Sequence, residues 1–184
     1  MSSPAADLAA VVVFTAFIAV LGMFPGIYAG GSGVPIVVQN IGPLLAGAIL
    51  GATRGTAAVA LLLALTAIGL PLLSGGRGGL APFFGPSAGF LLGWLLSALV
   101  TGLIVQRAAR PGVPILLLAT AAGLIVDYLV GVPYLAFYTG DWGAAVLGSL
   151  VFVPGDVAKV VLAALIAAAV HRALPDRLGW SHTR

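Results

Sequence analysis

Long apolar stretches follow one another along almost the whole chain, separated by short polar or glycine-rich segments. A helix that crosses a bilayer needs about 20 mostly apolar residues. The chain has six stretches that approach or exceed this length, and each predicts a membrane-spanning helix. They are residues 8–24, 36–52, 56–73, 87–106, 113–130 and 142–170.

The last stretch is too long for a single span. As one helix it would measure about 44 Å, against a hydrocarbon core of about 30 Å. Pro154 and Gly155 interrupt it. It predicts either a short dipping or interfacial segment at 142–153 followed by a helix from about Pro154, or one long kinked helix.

The composition of the 184 residues also indicates a membrane protein. The chain is 61% hydrophobic and 7% charged, with no glutamate and with Lys159 as its only lysine. Soluble domains are about 45–50% apolar and about 25% charged, and disordered chains combine low hydrophobicity with high charge. We therefore predict an all-α integral membrane protein with one domain at residues 1–174 and a short polar tail at 175–184. Because the chain has no cysteine and only two histidines, we predict that it has neither a disulfide framework nor a metal centre.

The basic residues predict the orientation. With six spans both termini lie on one side of the membrane, and only Arg77 falls on the other side, while Lys159 lies inside a span. Six arginines share the side of the termini: Arg54, Arg107, Arg110, Arg172, Arg177 and Arg184. Because cytoplasmic loops carry an excess of Lys and Arg, we predict that both termini are cytoplasmic. The net charge of +3 is small and is explained by this topology, so no nucleic-acid partner is predicted.

Two charged residues inside the last apolar stretch are the strongest candidates for a functional site. Asp156 and Lys159 are three residues apart, so they share one face of a helix. Charges within a membrane span are costly and usually functional. The pair predicts either a ligand or ion site, or a structural ion pair that ties the last helix into the bundle.

Other polar residues near the predicted outer ends of spans leave two interpretations open. Asp127 lies near the outer end of the fifth span, where it could contact a ligand or bond a loop. Gln39 is followed by Asn40 at the start of the second span. A buried amide needs partners, and these could be a ligand or a neighbouring helix.

Small residues at a spacing of four predict close helix packing. Thr15 and Ala19 form such a pair in the first span and could seat a partner helix. The pairs Gly47/Gly51 and Gly89/Gly93 have the same spacing. The sequence has no G-x-x-x-x-G-K-[ST] motif and no plausible catalytic set, so we predict that the chain is not an enzyme and does not bind ATP through a P-loop.

Six segments form an ordered set that covers nearly the whole chain. They are Val34-Pro35-Ile36 with Gln39, Leu44-Leu45-Ala46-Gly47, Gly69-Leu70-Pro71, Gly75-Gly76-Arg77-Gly78-Gly79-Leu80, Gly85-Pro86-Ser87, and Pro154-Gly155-Asp156 with Lys159. In order and spacing this set resembles the BioY family, the biotin-specific substrate-binding (S) components of energy-coupling-factor (ECF) transporters. The chain departs from the family at Val37, where Thr is frequent, and at Ser87-Ala88-Gly89-Phe90, where a Thr-Gly-Gly-Tyr run is frequent.

The resemblance implies a six-helix bundle of the ECF S-component type in the bacterial inner membrane, with biotin held near its outer face. It further implies a transmembrane coupling subunit and two cytoplasmic ATPase subunits as partners. ATP would then be hydrolysed by those partners, and this chain itself would carry no cofactor.

Given the resemblance, the residues suit the chemistry of biotin. Asp156 could accept a hydrogen bond from a ureido N–H group, and Lys159 could donate to the ureido carbonyl. Alternatively, Lys159 meets the valerate carboxylate and the ligand is reversed. Arg77, with close backbone approach at Gly78 and Gly79, could hold the carboxylate. The other predicted contacts are Gln39 and the aromatic residues Phe84, Tyr134 and Tyr138.

Two alternative functions remain open on the sequence. One is an S component for another vitamin, such as riboflavin or thiamine, because a fold does not fix a substrate. The other is an ion-coupled secondary carrier that uses Asp127, Asp156 and Lys159 as relay groups.

Overall fold

The structure, a computed structural model, describes residues 3–28, 33–108 and 111–174. The predicted tail at 175–184 lies outside the described residues, as do Arg110, Arg177 and Arg184. In chain order the elements are α1 (Pro4–Leu21), β1 (Ile27–Tyr28), β2 (Pro35–Ile36), α2 (Ile41–Leu50), α3 (Ala52–Ala67), α4 (Ala81–Phe84), α5 (Ala88–Arg107), α6 (Val113–Thr139), α7 (Trp142–Leu150) and α8 (Val153–Ala173).

Four of the described helices, α1, α5, α6 and α8, are long and apolar enough to cross a membrane. Helices α2 and α3 are also apolar but have 10 and 16 residues. They measure about 15 Å and about 24 Å, which is less than a hydrocarbon core of about 30 Å. Four candidate spans are therefore present, and the full count of six stays a prediction.

The second and third predicted spans differ from the helices that form. The second helix begins at Ile41 rather than at residue 36, because Pro35 and Ile36 pair with β1 in a short antiparallel ladder. The third helix, α3, begins at Ala52 and ends at Ala67 rather than at residue 73. Between α2 and α3 the chain turns at Gly51, whose φ of 81° favours glycine. The small β-ladder is an exception to the all-α prediction.

The fifth predicted span is too short by nine residues, because α6 runs on from Val130 to Thr139. Tyr134 and Tyr138, which follow the predicted end of this span, therefore lie on α6. This last part of α6 packs tightly against α5: a side chain added at Gly89 would collide with Tyr134. The helix ends at Gly140, which has φ 73° and donates its N–H to the Ala136 carbonyl.

The last apolar stretch forms two helices, α7 and α8, rather than one long kinked helix. The dipping or interfacial position of the first of them stays a prediction. Asp141 caps α7, because its side chain accepts a hydrogen bond of 2.9 Å from the Ala144 N–H. Pro154 lies in the first turn of α8, where its missing N–H breaks no helical hydrogen bond.

Helix α5 lies at the centre of the bundle and packs against α2, α3 and α6. Threonine hydroxyls tie neighbouring helices together. Thr15 on α1 donates 3.0 Å to the Ala58 carbonyl of α3, and Thr120 on α6 donates 3.2 Å to the Val160 carbonyl of α8. Thr15 is buried there and Ala19 is partly buried. Thr15 therefore contacts α3 of the same chain, and the contact of the Thr15/Ala19 pair with a partner helix stays a prediction.

The two ends of the bundle differ in charge. Arg54 pairs with Asp7 at 3.1 Å where α3 and α1 begin. Arg107 ends α5, and Arg172 lies in the last turn of α8. We call this the arginine end, and we call the opposite end, where α1 ends and α8 begins, the cavity end.

Candidate ligand-binding cavity

An open cavity lies at the cavity end, between the segment that leads into α2, the loop around Arg77, and helices α5, α6 and α8. Its water-accessible interior is about 50 Å³, and the wider space that includes its open mouth is about 490 Å³. Small-molecule sites have mostly apolar walls and a few placed polar groups. The cavity has both features.

The ion pair of Asp156 and Lys159 forms the polar floor of the cavity. Because α8 begins at Val153, Asp156 lies in its first turn and Lys159 follows one turn later on the same face. The Lys159 Nζ lies 2.8 Å from Asp156 Oδ1 and donates a second hydrogen bond of 2.7 Å to the Val37 carbonyl. The Asp156 side chain is only 4% exposed, so the pair is desolvated and each charge depends on its partner.

Two further donors hold the Asp156 carboxylate in place. Asn40 Nδ2 donates 2.9 Å to Oδ1, and the Tyr128 hydroxyl donates 2.7 Å to Oδ2. With Lys159, Asp156 thus accepts three hydrogen bonds from α8, α6 and the segment that leads into α2. Its position is fixed before any ligand binds.

A second acidic side chain, Asp127 on α6, lines the same cavity. It is 4% exposed, and its Oδ1 has no hydrogen-bond partner among the described residues. Gly93 on α5 faces it so closely that any added side chain would collide with the carboxyl group. The glycine therefore makes room for a buried acid at this point.

Arg77 closes the cavity from the loop side. Its Nε donates 3.1 Å to the Ser74 carbonyl, and its Nη1 donates 3.2 Å to the Ser87 hydroxyl. A guanidinium group carries five N–H donors in a planar fork. Three remain for an anionic group of a ligand.

The apolar walls come from aromatic residues of three segments. Phe90 and Trp94 lie one turn apart on α5, and Phe152 precedes α8. Phe90 contacts both Phe152 and Tyr128 edge-on, with ring centroids 6.2 Å apart in each case. Such edge-to-face contacts stabilise a fixed arrangement of rings, and this one gives the cavity a rigid wall.

Asp156, Lys159 and Arg77, all predicted from the sequence, line this one cavity. Gln39 does not line it. Its fully buried amide donates to the Ile18 and Leu72 carbonyls at 3.0 and 2.8 Å, and its Oε1 accepts from the Ser74 N–H at 3.1 Å. These bonds agree with the alternative in which Gln39 joins parts of the bundle.

The other predicted contact residues also lie outside the lining of the cavity. Phe84 is 73% exposed, and Tyr134 stacks on Tyr138 with ring centroids 6.4 Å apart. Gly78 packs against the backbone of Leu70, and the N–H of Gly79 donates 2.8 Å to the Thr66 carbonyl. The two glycines therefore shape the loop that carries Arg77.

A family model described as the BioY family matches residues 1–176. The chain belongs to the BioY family. The resemblance seen in the sequence is thus confirmed.

Three members of the family align with about nine tenths of this chain. The biotin transporter BioY of Rhizobium etli is 46% identical over 172 residues, which cover 89% of this chain and 92% of that protein. The biotin transporter BioY of Rhodobacter capsulatus is 45% identical over 183 residues, with 90% and 93% covered. A probable biotin transporter BioY of Bacillus subtilis is 39% identical over 170 residues, with 91% of both chains covered.

A solved structure has the same fold. It is a 2.1 Å crystal structure of the S-component for biotin from an ECF-type ABC transporter, 36% identical in sequence, with a TM-score of 0.86 and 90% of both chains covered. Together with the four long apolar helices, this match makes the BioY-family chain a multi-pass membrane protein of a transporter family.

Proposed function

We propose that this chain binds biotin in the cavity at the cavity end of the bundle and serves as the substrate-binding S component of an ECF-type uptake transporter. The observation that carries the proposal is the desolvated Asp156–Lys159 pair in the floor of a cavity with apolar walls. Membership of the BioY family and the names of the relatives favour biotin over riboflavin or thiamine.

The polar groups of the cavity match those of biotin. One ureido N–H group donates to Asp156, and Lys159 donates to the ureido carbonyl. Both hydrogen bonds are charge-assisted and therefore strong in a dry pocket. Phe90, Trp94 and Phe152 enclose the apolar, sulfur-containing part of the fused ring, and the free guanidinium donors of Arg77 bind the valerate carboxylate.

In the reversed pose Lys159 meets the valerate carboxylate instead. Biotin methyl ester separates the two poses, because it keeps the ureido ring and lacks the carboxylate charge. In the pose we favour, Arg77 binds the carboxylate, so esterification weakens binding to the wild type. It should have little further effect in Arg77→Met, because that variant has already lost the same contact. In the reversed pose, the non-additive pair is esterification with Lys159→Met.

We further propose that the chain crosses the inner membrane six times, with both termini in the cytoplasm and the cavity at the extracytoplasmic face. The distribution of charge supports this topology. Among the described residues Arg54, Arg107 and Arg172 lie at the arginine end, and Arg77 is the arginine of the cavity end. Arginine is enriched in cytoplasmic loops, so the arginine end faces the cytoplasm.

The partners proposed are a transmembrane coupling subunit and two cytoplasmic ATPase subunits. The sequence has no P-loop motif, which agrees with ATP hydrolysis in those partners. An ion-coupled carrier would behave differently. Biotin uptake by cells that contain the partners should persist when an uncoupler removes the proton gradient while ATP is kept constant, and should stop when ATP is depleted.

Equilibrium binding to the purified protein in detergent tests the substrate. Isothermal titration should give stoichiometric binding of biotin and none of riboflavin or thiamine. Binding of another vitamin would keep the S-component architecture and reject the chemistry assigned to Asp156 and Lys159. A folded protein that binds none of the three would contradict the proposal.

A further inference from the structure

Asp127 carries a buried acceptor to which no described residue donates a hydrogen bond. Its Oδ1 is enclosed and has no hydrogen-bond partner among the described residues, and the side chain lines the cavity. An unsatisfied buried polar group costs free energy, and an acidic group within a membrane-spanning helix is usually functional. Asp127 is the only acidic residue of α6. The packing of this otherwise apolar helix does not require an acid at this position.

The hydrogen bonds of Asp156 show why the cavity needs a second acceptor. An ionised carboxylate offers about four acceptor positions. Three of those of Asp156 are taken, by Asn40, Tyr128 and Lys159. One position is left for the ligand, whereas a ureido ring has two N–H donors on opposite edges.

We infer that Asp127 is a ligand-binding residue that accepts the second ureido N–H of biotin, opposite the N–H that Asp156 accepts. This inference rests on the proposed function. The two acids lie on different helices, α6 and α8, and both line the cavity, so one ring bound there can meet both carboxyl groups. Asp127 fits at this point because Gly93 has no side chain that would collide with its Oδ1.

Asn40 offers the competing acceptor. Its Oδ1 is also enclosed without a partner among the described residues, and it lines the same cavity. Its amide is neutral, so a hydrogen bond to it is weaker than one to a carboxylate. The experiment must therefore distinguish Asp127 from Asn40.

The test combines a variant with two biotin analogues, each methylated on one of the two ureido nitrogens. Asp127→Ala should weaken biotin binding on the order of tenfold to a hundredfold, the effect of losing one hydrogen bond to a charged group. Asp127→Asn, which keeps the shape and one acceptor oxygen, should lose less. Thr120→Val is the matched control, because it removes a buried hydroxyl of α6 two turns away from the cavity and should bind biotin as the wild type does.

The analogues separate direct contact from a structural role. Methylation of the nitrogen that faces Asp127 should weaken binding to the wild type and have little effect in Asp127→Ala, where the methyl group fills the vacated space. Methylation of the other nitrogen should weaken binding equally in both proteins. In Asn40→Ala, the two methylated analogues should each weaken binding as they do in the wild type.

Each other outcome contradicts the inference. Biotin affinity of Asp127→Ala within twofold of wild type would do so, as would equal effects of the two analogues in both proteins. If Asp127→Ala does not fold, the same comparison is made with Asp127→Ser, which also removes the carboxyl group and vacates space. A wild-type protein that binds no biotin would instead reject the proposed function, so the two failures are distinguishable.

Discussion

The Asp156–Lys159 pair can be tested as a functional or a structural ion pair by removing first one charge and then both. Lys159→Met keeps a side chain of similar length and leaves the Asp156 carboxylate buried with only Asn40 and Tyr128 as donors. Removing one partner of a buried pair costs about 3–5 kcal/mol. Because the Lys159 side chain is 15% exposed, we expect a loss of about 3 kcal/mol in the free energy of unfolding.

The double variant Asp156→Asn/Lys159→Met leaves no buried charge without a partner. Replacing both members of a buried ion pair is often nearly neutral, so most of the lost stability should return. Biotin binding should not return, because both charge-assisted hydrogen bonds to the ureido ring are gone. Each is worth about 1.5–3 kcal/mol, which corresponds to a loss of affinity of at least about tenfold for each.

Thermal unfolding in detergent and biotin titration of the same preparations measure the two effects. The partly exposed pair of Asp7 and Arg54, at the arginine end, supplies the control: Arg54→Met should leave biotin affinity unchanged and should lose less stability than Lys159→Met, because the Asp7 side chain is 41% exposed. A stable double variant that binds biotin like the wild type would show that the pair is structural. A Lys159→Met variant as stable as the wild type would refute the reasoning on desolvation.

Three further predictions concern residues around the cavity and in the bundle. Gln39→Leu loses the hydrogen bonds to the Ile18 and Leu72 carbonyls and to the Ser74 N–H. It should lower the free energy of unfolding by about 1–3 kcal/mol, measured by thermal unfolding. Unchanged stability would contradict its role in joining these segments. Phe152→Ala should weaken biotin binding, whereas Phe84→Ala, at an exposed ring, should not, and the reverse order in titrations would show that the cavity is wrongly placed. Gly102→Ala should destabilise the bundle by about 1–3 kcal/mol because its Cβ would collide with the backbone of Ala52, while Gly155→Ala, which meets no atom within 4 Å, should be tolerated; equal melting temperatures would contradict the close packing of α5.

The sequence predicted the charged part of the cavity because that part depends on local spacing. Asp156 and Lys159 share a face of any helix that contains both, and Pro154 with Gly155 indicates where that helix begins. Arg77 was predicted from the resemblance to the BioY family, within the glycine-rich segment around it. These features need no knowledge of how the helices pack.

The aromatic wall was missed because it depends on packing between helices. Phe90 and Trp94 are one turn apart, which is a helical spacing typical of any core face. Only the position of α5 at the centre of the bundle turns them towards the cavity. Phe84 and Tyr138 were expected at the site from their place in the chain, but Phe84 lies on the exposed short helix α4 and Tyr138 on the last turn of α6.

The helix ends were predicted poorly for a related reason. Ile36, Val37 and Val38 extend the hydrophobic pattern of the second stretch, yet Ile36 pairs with Ile27 across the β-ladder. Pro133 suggests an end to α6, but contact with α5 at Gly89 and Gly131 holds the helix together beyond it. In both cases a contact distant in sequence overrides the local signal.

The central claim is that biotin occupies this cavity, and the fluorescence of Trp94 tests it most directly. Trp94 lines the cavity and is 5% exposed, whereas Trp142 is 62% exposed on α7. In a Trp142→Phe/Trp180→Phe variant, Trp94 is the only tryptophan left. Biotin should change its emission in a saturable way, with the same midpoint as an independent binding assay, and thiamine should not. Biotin binding that leaves the emission of Trp94 unchanged would contradict the account.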